Sequence, residues 1–213
     1  SANQRSLTYA DLAADPEAIH PYLARIAPFE RHAFVALNTA FLHEGAFIQL
    51  PPRVALRHPI HLLFLSAKPS GGLPTMVHPR VLAIAGANSQ CSIVETYAGP
   101  AGTRYFTHPV SQIVVGEDAA LQHYALQHEG RDAAHVHGIH LQAARSAACT
   151  LHSVSVGGAL VRNGGVGGLN GGIGIRISRP SLFGVSPRCE LRIARSIACS
   201  APLSNGDTTM RLG

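Results

Sequence analysis

The sequence predicts a parallel β-helix, a coil of stacked short strands, because one pattern recurs three times along the chain. The recurring segments align without gaps at offsets of 30 and then 28, and they are residues 81–95, 111–125 and 139–153. Small or apolar residues recur at every second place, as at Ala83, Ile113 and Leu141. Short alternating runs are typical of strands with one buried face, and repeats of about 20 to 50 residues are typical of stacked units. An antiparallel sandwich with coincidental spacing is the alternative.

Each aligned segment also contains places where a strand is expected to turn. A small polar corner recurs as Gly86-Ala87-Asn88, Gly116-Glu117-Asp118 and Ala144-Arg145-Ser146. The alternation then changes phase after Ile93, His123 and Leu151, passing to Val94, Tyr124 and His152. We expect a second corner at that point. Cys91 and Cys149 take equivalent places on either side of Leu121, which predicts two thiols in the apolar core.

The chain before the repeats divides into a helical part and the first strands. Asp15 followed by Pro16 is a good helix start, and a second helical pattern puts Phe34, Leu37 and Phe41 on one face before Gly45. Residues 1–45 are therefore expected to be mainly helical. Strand patterns at Phe47–Leu50 and Ile60–Leu65 then open a β-helix core that is expected to cover residues 46–163.

The ending of the chain has a different composition. Glycine dominates residues 164–174, and arginine recurs through the last forty residues without sustained periodicity. Because glycine is costly in strand and helix interiors, residues 164–213 are interpreted as a poorly ordered Gly/Arg/Ser-rich tail. A truncated or frame-shifted reading of a longer gene is our hypothesis for it.

Composition excludes several classes of protein. Only 14% of residues are charged, and a formal charge of +5 comes without a dense basic run with interleaved aromatic residues, so a nucleic-acid surface is not indicated. The four cysteines form no Cys-x-x-Cys pair, and the sequence contains neither a secretion leader nor a run of 18 apolar residues. We expect a soluble cytoplasmic protein with free thiols.

Histidines offer the first candidate site. His135, His137 and His140 are close in sequence, and two imidazoles on one strand face are able to hold a transition metal. A cupin-type metal site would need a glutamate about four residues after the second histidine, but the chain has Leu141 and Gln142 there. Exposed or hydrogen-bonded histidines on a coil face are the preferred interpretation, so no metal ligand is assigned and His135 and His137 stay weak metal candidates.

Carboxylates offer the second candidate site, since β-helices also carry polysaccharide-cleaving enzymes that use paired acids. The acids in and after the repeats are Glu95, Glu117, Asp118, Glu129 and Asp132. Most fall at expected corners or strand ends without a tight cluster on one face. They are interpreted as solvated surface charges, so no catalytic residue is assigned, and a carbohydrate-active enzyme stays an alternative.

Several phrases of the chain resemble the SufB/SufD proteins of the SUF iron–sulfur cluster assembly system, and SufD more closely. They are Ala36-Leu-Asn-Thr-Ala-Phe41 with Gly45-Ala-Phe47, Pro59-Ile-His-Leu-Leu-Phe64, Ile93-Val-Glu-Thr-Tyr97, His123-Tyr-Ala-Leu-Gln127, His152-Ser153 with Gly157-Gly158, and Val161-Arg-Asn163. Each phrase is weak alone, but their order along about residues 15 to 163 makes the set specific.

The resemblance implies a right-handed parallel β-helix in a non-enzymatic scaffold subunit. Such a subunit pairs with SufB and recruits the ATPase SufC, and new clusters form transiently on the complex. In the family, further rungs and a helical C-terminal domain follow the Val161-Arg-Asn163 phrase, and neither is legible here. The family's cluster-building cysteine and histidine positions lie in that distal region, so none of them is transferred to this chain and no bound cofactor is assigned.

Overall fold

A computed structural model describes residues 3–6, 19, 21–23, 25–68, 73–169, 174–177 and 197–199. Short parallel strands coil into a β-solenoid of about three turns, which confirms the predicted fold class. The right-handed sense of the coil stays a prediction. The elements in chain order are β1 (Asn3–Ser6), a 3-10 turn (Phe29–Arg31), α1 (Ala33–Ala40), β2 (Gly45–Leu50), β3 (Ile60–Leu65), β4 (Thr75–Val77), β5 (Arg80–Ala85), β6 (Gln90–Ala98), β7 (Tyr105–Thr107), β8 (Val110–Val115), β9 (Ala120–His128), β10 (Ala134–Ala143), β11 (Ala148–Ser155), β12 (Leu160–Leu169), β13 (Gly174–Ile177) and β14 (Ile197–Cys199).

The strands form two sheets that enclose the interior of the coil. Sheet A has the order β1-β2-β5-β8-β10-β12-β14, with β4 and β7 continuing it beside β10. Sheet B has the order β13-β11-β9-β6-β3. All pairings are parallel apart from β1 with β2, which is antiparallel. Strands inside the sheets therefore pair their backbone groups with the rungs above and below them, whereas β3 and β13 are the edges of sheet B.

The register predicted from the repeats is confirmed. Ile113 is paired with Ala83 on one side and with Leu141 on the other. Leu121 is paired in the same way with Cys91 and Cys149. Inward side chains of successive rungs consequently pile into one apolar column, whose buried members are Ile48, Leu50, Ile60, Ala83, Ala85, Cys91, Ile93, Ile113, Val115, Ala119, Leu121, Ile139, Leu141, Ala143, Ala147, Cys149 and Leu151.

The predicted polar corners are confirmed as the turns between the two sheets. Each corner holds its third residue in the left-handed backbone region, with φ of 58° at Asn88, 55° at Asp118 and 58° at Ser146. Asparagine and aspartate tolerate this conformation better than most residues. The corners stack through backbone bonds such as Asn88 N–H to Glu117 O at 2.8 Å. The repeated backbone conformation keeps successive rungs in register.

Glycine at the start of two corners permits close contact between rungs. A Cβ added to Gly116 would lie 2.7 Å from the Ala87 nitrogen and 2.9 Å from the Ala85 oxygen. We expect Gly116→Ala to lower the free energy of unfolding by about 1–3 kcal/mol, because backbone atoms of the rung below would have to shift. Chemical denaturation measures the loss. Gly164→Ala is the matched control, because a Cβ there has no neighbour within 4 Å. Equal stability of the two variants would contradict the prediction.

The second corner expected after Ile93, His123 and Leu151 is not formed. Strand β6 continues from Gln90 to Ala98 with strictly alternating burial, and β9 continues from Ala120 to His128. Val94, Tyr124 and His152 therefore stay on the outer face of sheet B, where the Tyr124 and His152 rings stack at 4.8 Å. The prediction of a phase change is wrong. The inward positions of these strands continue mainly with polar residues, whereas the outward positions continue mainly with apolar ones.

The N-terminal region packs on the outer face of sheet A. Asp15 and Pro16 lie outside the described residues, whereas the second predicted helix is confirmed as α1. Its buried residues are Val35 and Asn38, so the predicted apolar face of Phe34, Leu37 and Phe41 is wrong. Phe34 and Phe41 instead lie at the edge of the contact, against imidazole rings of the sheet. Strand β1 was not expected in a region predicted to be mainly helical.

The boundary predicted after Asn163 is not a structural one. Strand β12 continues through the glycines to Leu169 in register with β10, and β13 pairs with β11. The predicted tail is therefore strand at residues 164–169, 174–177 and 197–199. Parallel pairing to a preformed rung outweighs the low strand propensity of glycine. The other residues of the predicted tail lie outside the described ones.

Among the helices within the described ranges, none is long and apolar enough to cross a membrane.

Candidate functional site

Half of the solenoid interior is polar. Beyond the apolar column, the inward side chains of β6, β7, β8, β9 and β10, together with Glu129 just after β9, include two carboxylates and three imidazoles, each at most 5% exposed. We call this set the polar interior. Its members are Glu95, Tyr97, Thr107, Ser111, His123, Gln127, Glu129, His135 and His137.

Strand alternation places these side chains. On β6, Glu95 and Tyr97 follow Cys91 and Ile93 on the inward face. On β9, His123 and Gln127 follow Leu121. Strand β10 begins with His135 and His137 before the apolar Ile139, so its polar end lies opposite the polar ends of β6 and β9. The inward face therefore changes from apolar to polar along β6 and β9, and from polar to apolar along β10.

Glu95 is the centre of the first half of the polar interior. Its carboxylate accepts hydrogen bonds from the Tyr97 hydroxyl at 2.7 Å and from the Ser111 hydroxyl at 2.8 Å. His123 Nε2 lies 2.9 Å from the second carboxylate oxygen. Because the single hydroxyl proton of Ser111 is given to Glu95, the 2.9 Å contact between Ser111 Oγ and His137 Nε2 needs an N–H on His137. This assigns the Nε2 tautomer to a neutral His137.

Glu129 is the centre of the second half. It accepts hydrogen bonds from the Thr107 hydroxyl at 2.5 Å and from Gln127 Nε2 at 3.2 Å. His135 Nδ1 lies 2.8 Å from the same carboxylate. The ring of Tyr97 lies between the two halves, edge-on to His135 and His137 at 5.1 and 5.5 Å. Two carboxylate centres are thus joined into one buried network.

Burial and hydrogen bonding shift the protonation equilibria of this network. Burial alone raises the pKa of Glu95, but the charge and hydrogen bond of His123, the charge of His137 and the hydrogen bond of Tyr97 lower it to about 2. Burial raises the pKa of Tyr97, and Glu95 raises it further. Burial also lowers the pKa of His137 to about 3. Since His137 is neutral near pH 7, the hydrogen bonds from the Tyr97 and Ser111 hydroxyls support the ionised state of Glu95 there.

The predicted carboxylates separate into two groups. Glu117 is a partly exposed corner residue, and Asp118 and Asp132 are exposed, so these three are surface acids as expected. Glu117 forms a surface ion pair with Arg145. Glu95 and Glu129 are buried at 0% and 5% exposure, so their interpretation as solvated surface charges is wrong. Polysaccharide cleavage needs a carboxylate pair that reaches its substrate, and these two are closed inside the coil.

The predicted histidine cluster is divided between two sides of sheet A. His135 and His137 point into the polar interior, whereas His140 points outward towards His32. Of the two states expected for these histidines, exposed or hydrogen-bonded, the structure shows the second: His135 and His137 are hydrogen-bonded, but they are buried on the inner face and not exposed. They contact different carboxylates, Glu129 and Glu95. Within the described ranges, no group of three His, Cys, Asp or Glu residues is arranged to hold a metal ion. Parallel strands also differ from the antiparallel barrel of cupins.

The predicted core thiols are confirmed. Cys91 and Cys149 are free and buried on either side of Leu121. Burial raises the pKa of the Cys91 thiol to about 11 and that of Cys149 to about 12. Both are consequently protonated and poorly reactive near pH 7. Cys189 lies outside the described residues, and Cys199 belongs to β14.

Sequence reasoning missed five members of the site, which are Tyr97, Thr107, Ser111, His123 and Gln127. The sequence did contain a signal for Tyr97. Ile93, Glu95 and Tyr97 are two residues apart, so on one continuous strand they lie on the same face. The assumed phase change removed that signal.

Comparisons with known proteins identify the family. Residues 64–172 match the model of the SUF system FeS cluster assembly SufBD core domain, and residues 5–62 match the SufBD protein N-terminal region. The chain is 32% identical over 138 residues to the iron–sulfur cluster assembly SufBD family protein slr0076 of Synechocystis sp., covering 61% of this chain and 30% of that protein. It is 31% identical over 135 residues to the chloroplastic protein ABCI7 of Arabidopsis thaliana, covering 61% and 28%.

The two relatives are much longer than the part of them that this chain matches. This chain aligns with less than a third of the length of either curated relative. One relative is chloroplastic by name, so a cytoplasmic location of this chain stays a prediction. The core model covers slightly more than half of the chain, from the end of β3 to beyond β12. The chain belongs to the SufBD family of the SUF iron–sulfur cluster assembly system.

Proposed function

We propose that this chain is a SufD-like scaffold subunit that acts by association with a SufB-like subunit and a SufC-like ATPase. The observation that carries the proposal is the match of the family core model to the solenoid itself, at residues 64–172. The phrases quoted above favour SufD over SufB within that family. In this role the solenoid supplies a rigid body, and ATP hydrolysis by another subunit supplies the work.

The chemistry of the described cysteines supports a scaffold role. A thiol holds iron as the thiolate, and burial keeps Cys91 and Cys149 protonated. Neither thiol is exposed at the surface. A cluster would therefore be held only transiently, as cargo of the complex, and by groups other than these two thiols. The buried carboxylates also have no access to an external substrate, which favours a non-enzymatic subunit.

Co-purification tests the proposal. The tagged 213-residue chain is expressed together with the SufB-like and SufC-like proteins of the source organism. We expect the SufB-like subunit to be retained, and the SufC-like ATPase to be retained with it. A tagged β-solenoid of an unrelated family is the control for non-specific association of strand edges. A folded chain, judged by circular dichroism, that retains neither partner would refute the proposal.

Iron analysis in the same preparations tests the cargo interpretation. We expect the absorption bands of an iron–sulfur cluster only in the complex that retains the partners. A stoichiometric cluster in the isolated chain would contradict transient binding while leaving the partner assignment intact.

A further inference from the structure

The contact between the N-terminal region and sheet A contains an unusual set of buried groups. We call the 3-10 turn and α1, residues 29–40, with the adjoining Phe41, the docked segment. Asn38 Nδ2 donates to the carbonyl oxygens of Pro79 at 3.1 Å and His108 at 2.8 Å. Arg80 of β5 donates to the Thr39 hydroxyl at 2.6 Å. These bonds fix the docked segment above the start of β5.

Aromatic contacts to histidines of the solenoid surround these bonds. Phe41 stacks on His78 with ring centroids 5.4 Å apart, and Phe34 lies edge-on to His108 at 5.3 Å. His78 Nδ1 and His108 Nδ1 are 3.4 Å apart. A further pair, His32 before α1 and His140 on β10, has centroids 5.6 Å apart. Three buried histidines of the solenoid, His78, His108 and His140, thus form one side of the contact with the docked segment.

Arg80 places a positive charge beneath the docked segment, and no carboxylate of the described residues forms an ion pair with it. The side chain is 0% exposed, and its described partners are Thr39 and Gln112, both neutral. Burial lowers the pKa of Arg80 to about 10, which still leaves it charged near pH 7. The ion pairs found within the described part of the chain do not include Arg80. Any further positive charge in this contact would therefore be unbalanced.

The other charged groups around the contact do not supply the missing negative charge. Arg162 of β12 lies over the Phe34 ring at 5.8 Å and adds a second cation. Glu30 and Glu44 belong to the N-terminal region, but their side chains are exposed. His135 lies beyond His108 on the inner side of the sheet and is turned to Glu129. The contact is consequently compatible with neutral imidazoles and not with protonated ones.

We propose that the docked segment is held on sheet A by neutral His78, His108 and His140, and that protonation of these imidazoles beside the buried Arg80 releases it. The buried nitrogens without partners are consistent with this arrangement. They are His78 Nε2, His108 Nε2, His140 Nδ1 and Arg80 Nε. Release lets each imidazole gain a proton in water, and it exposes the new charges and Arg80 to solvent, which screens the repulsion between them. The solenoid beneath keeps its own backbone pairing.

The pH range follows from the direction of the shifts. The pKa of His108 is lowered to about 4, mainly by burial and then by the charges of His78 and Arg80. The pKa of His140 is also lowered to about 4, mainly by burial and then by the charges of His32 and Arg80. Burial lowers the pKa of His78 as well. Because the docked pKa values lie below the free value near 6.5, docking is fully favoured above about pH 6.5 and weakens as the pH falls towards 4. At pH 5 we expect each of His108 and His140 to shift the docking equilibrium towards release on the order of tenfold.

Hydrogen exchange of the full chain tests the proposal. Amide protection, corrected for the intrinsic pH dependence of exchange, is measured at pH 7.5 and pH 5.0 in peptides covering residues 29–41 and 110–128. We expect protection of the docked segment to fall at least tenfold at pH 5.0, while protection of β8 and β9 changes much less. Equal protection of the docked segment at both pH values would overturn the proposal. So would loss of both regions with one midpoint.

Variants separate the named groups from general acid effects. His108→Gln and His140→Gln remove two of the three titrating groups, so in the combined variant protection of the docked segment should fall much less at pH 5.0, with His78 as the remaining titrating imidazole. Arg80→Gln removes the fixed charge and should move release to lower pH, which gives a second readout if the histidine variant docks poorly. His128→Gln is the matched control, since His128 is exposed at the end of β9. Wild-type pH dependence in both the combined variant and the Arg80 variant would refute the assignment.

Discussion

Glu95→Ala is expected to lower the free energy of unfolding by about 3–5 kcal/mol, because it breaks a buried charged network and leaves its partners unpaired. The Tyr97 and Ser111 hydroxyls would lose their acceptor inside the coil. His123 would lose the carboxylate oxygen that lies 2.9 Å from its Nε2. Denaturant titration at pH 7, followed by circular dichroism, measures the loss.

Two companion variants show which part of the network matters. Glu95→Gln keeps the shape and one acceptor oxygen but removes the charge, so we expect an intermediate loss. Glu117→Ala makes the same change at a surface corner acid paired with Arg145, where solvent replaces the contact, so little change is expected. If Glu95→Ala and Glu117→Ala unfold at the same denaturant concentration, Glu95 does not stabilise the interior.

Ile113→Ala is expected to lower the free energy of unfolding by about 2–5 kcal/mol through the cavity that it leaves in the apolar column. Ile113 is 0% exposed and lies in register between Ala83 and Leu141. Because the Ala83 side chain on one side is small, it has few atoms that could relax into the cavity. Denaturant titration again gives the loss, and Ile113→Val should cost about 0.5–1.5 kcal/mol.

Leu126→Ala is the matched control for the column. Leu126 is on β9, and its side chain is on the outer face of sheet B and is 37% exposed. Removing it creates no enclosed cavity, so a smaller loss is expected. A loss at Leu126 as large as that at Ile113 would mean that the interior column is not the main source of stability.

The apolar half of the interior could be predicted from the sequence because its residues repeat in kind. Ala83, Ile113 and Leu141 are all apolar, and Cys91, Leu121 and Cys149 behave alike in a core. Backbone pairing between rungs requires one register along the whole strand, and this fixes the sequence spacing of the residues that stack on one another. A pattern of period two combined with a long repeat therefore specifies both sheets.

The polar half could not be predicted because its members do not repeat in kind. The inward places after Ile93 and His123 hold Glu95 and Ala125, and nothing in the alternation alone requires a carboxylate to be buried. Glu95 depends on partners from other rungs, such as Ser111 and His123. These partners become neighbours only after the coil is formed, so a local pattern contains no record of them.

The docked segment shows a different limit of sequence reasoning. Helical spacing indicated α1 correctly, but hydrophobicity chose the wrong face, since polar Asn38 is buried and Phe41 is exposed. Asn38 is buried because the His108 carbonyl oxygen before β8 needs a donor, and the same side-chain amide also donates to the Pro79 carbonyl oxygen before β5. That need arises from the solenoid and is invisible in the helix itself.

The spacing between paired strands has a consequence for how this fold accepts changes in length. Ala98 pairs with His128 at a separation of 30 residues, whereas Phe106 pairs with Ala134 at 28, so two residues are lost between β9 and β10 relative to the preceding rung. A further two are lost at the equivalent place in the next rung, where Ser155 pairs with Gln127 at 28 and Leu160 with Ala134 at 26. From β6 onward, the differences in length between rungs thus fall at the connection from sheet B to sheet A, and peptide tags or spectroscopic labels inserted there should leave both sheets undisturbed.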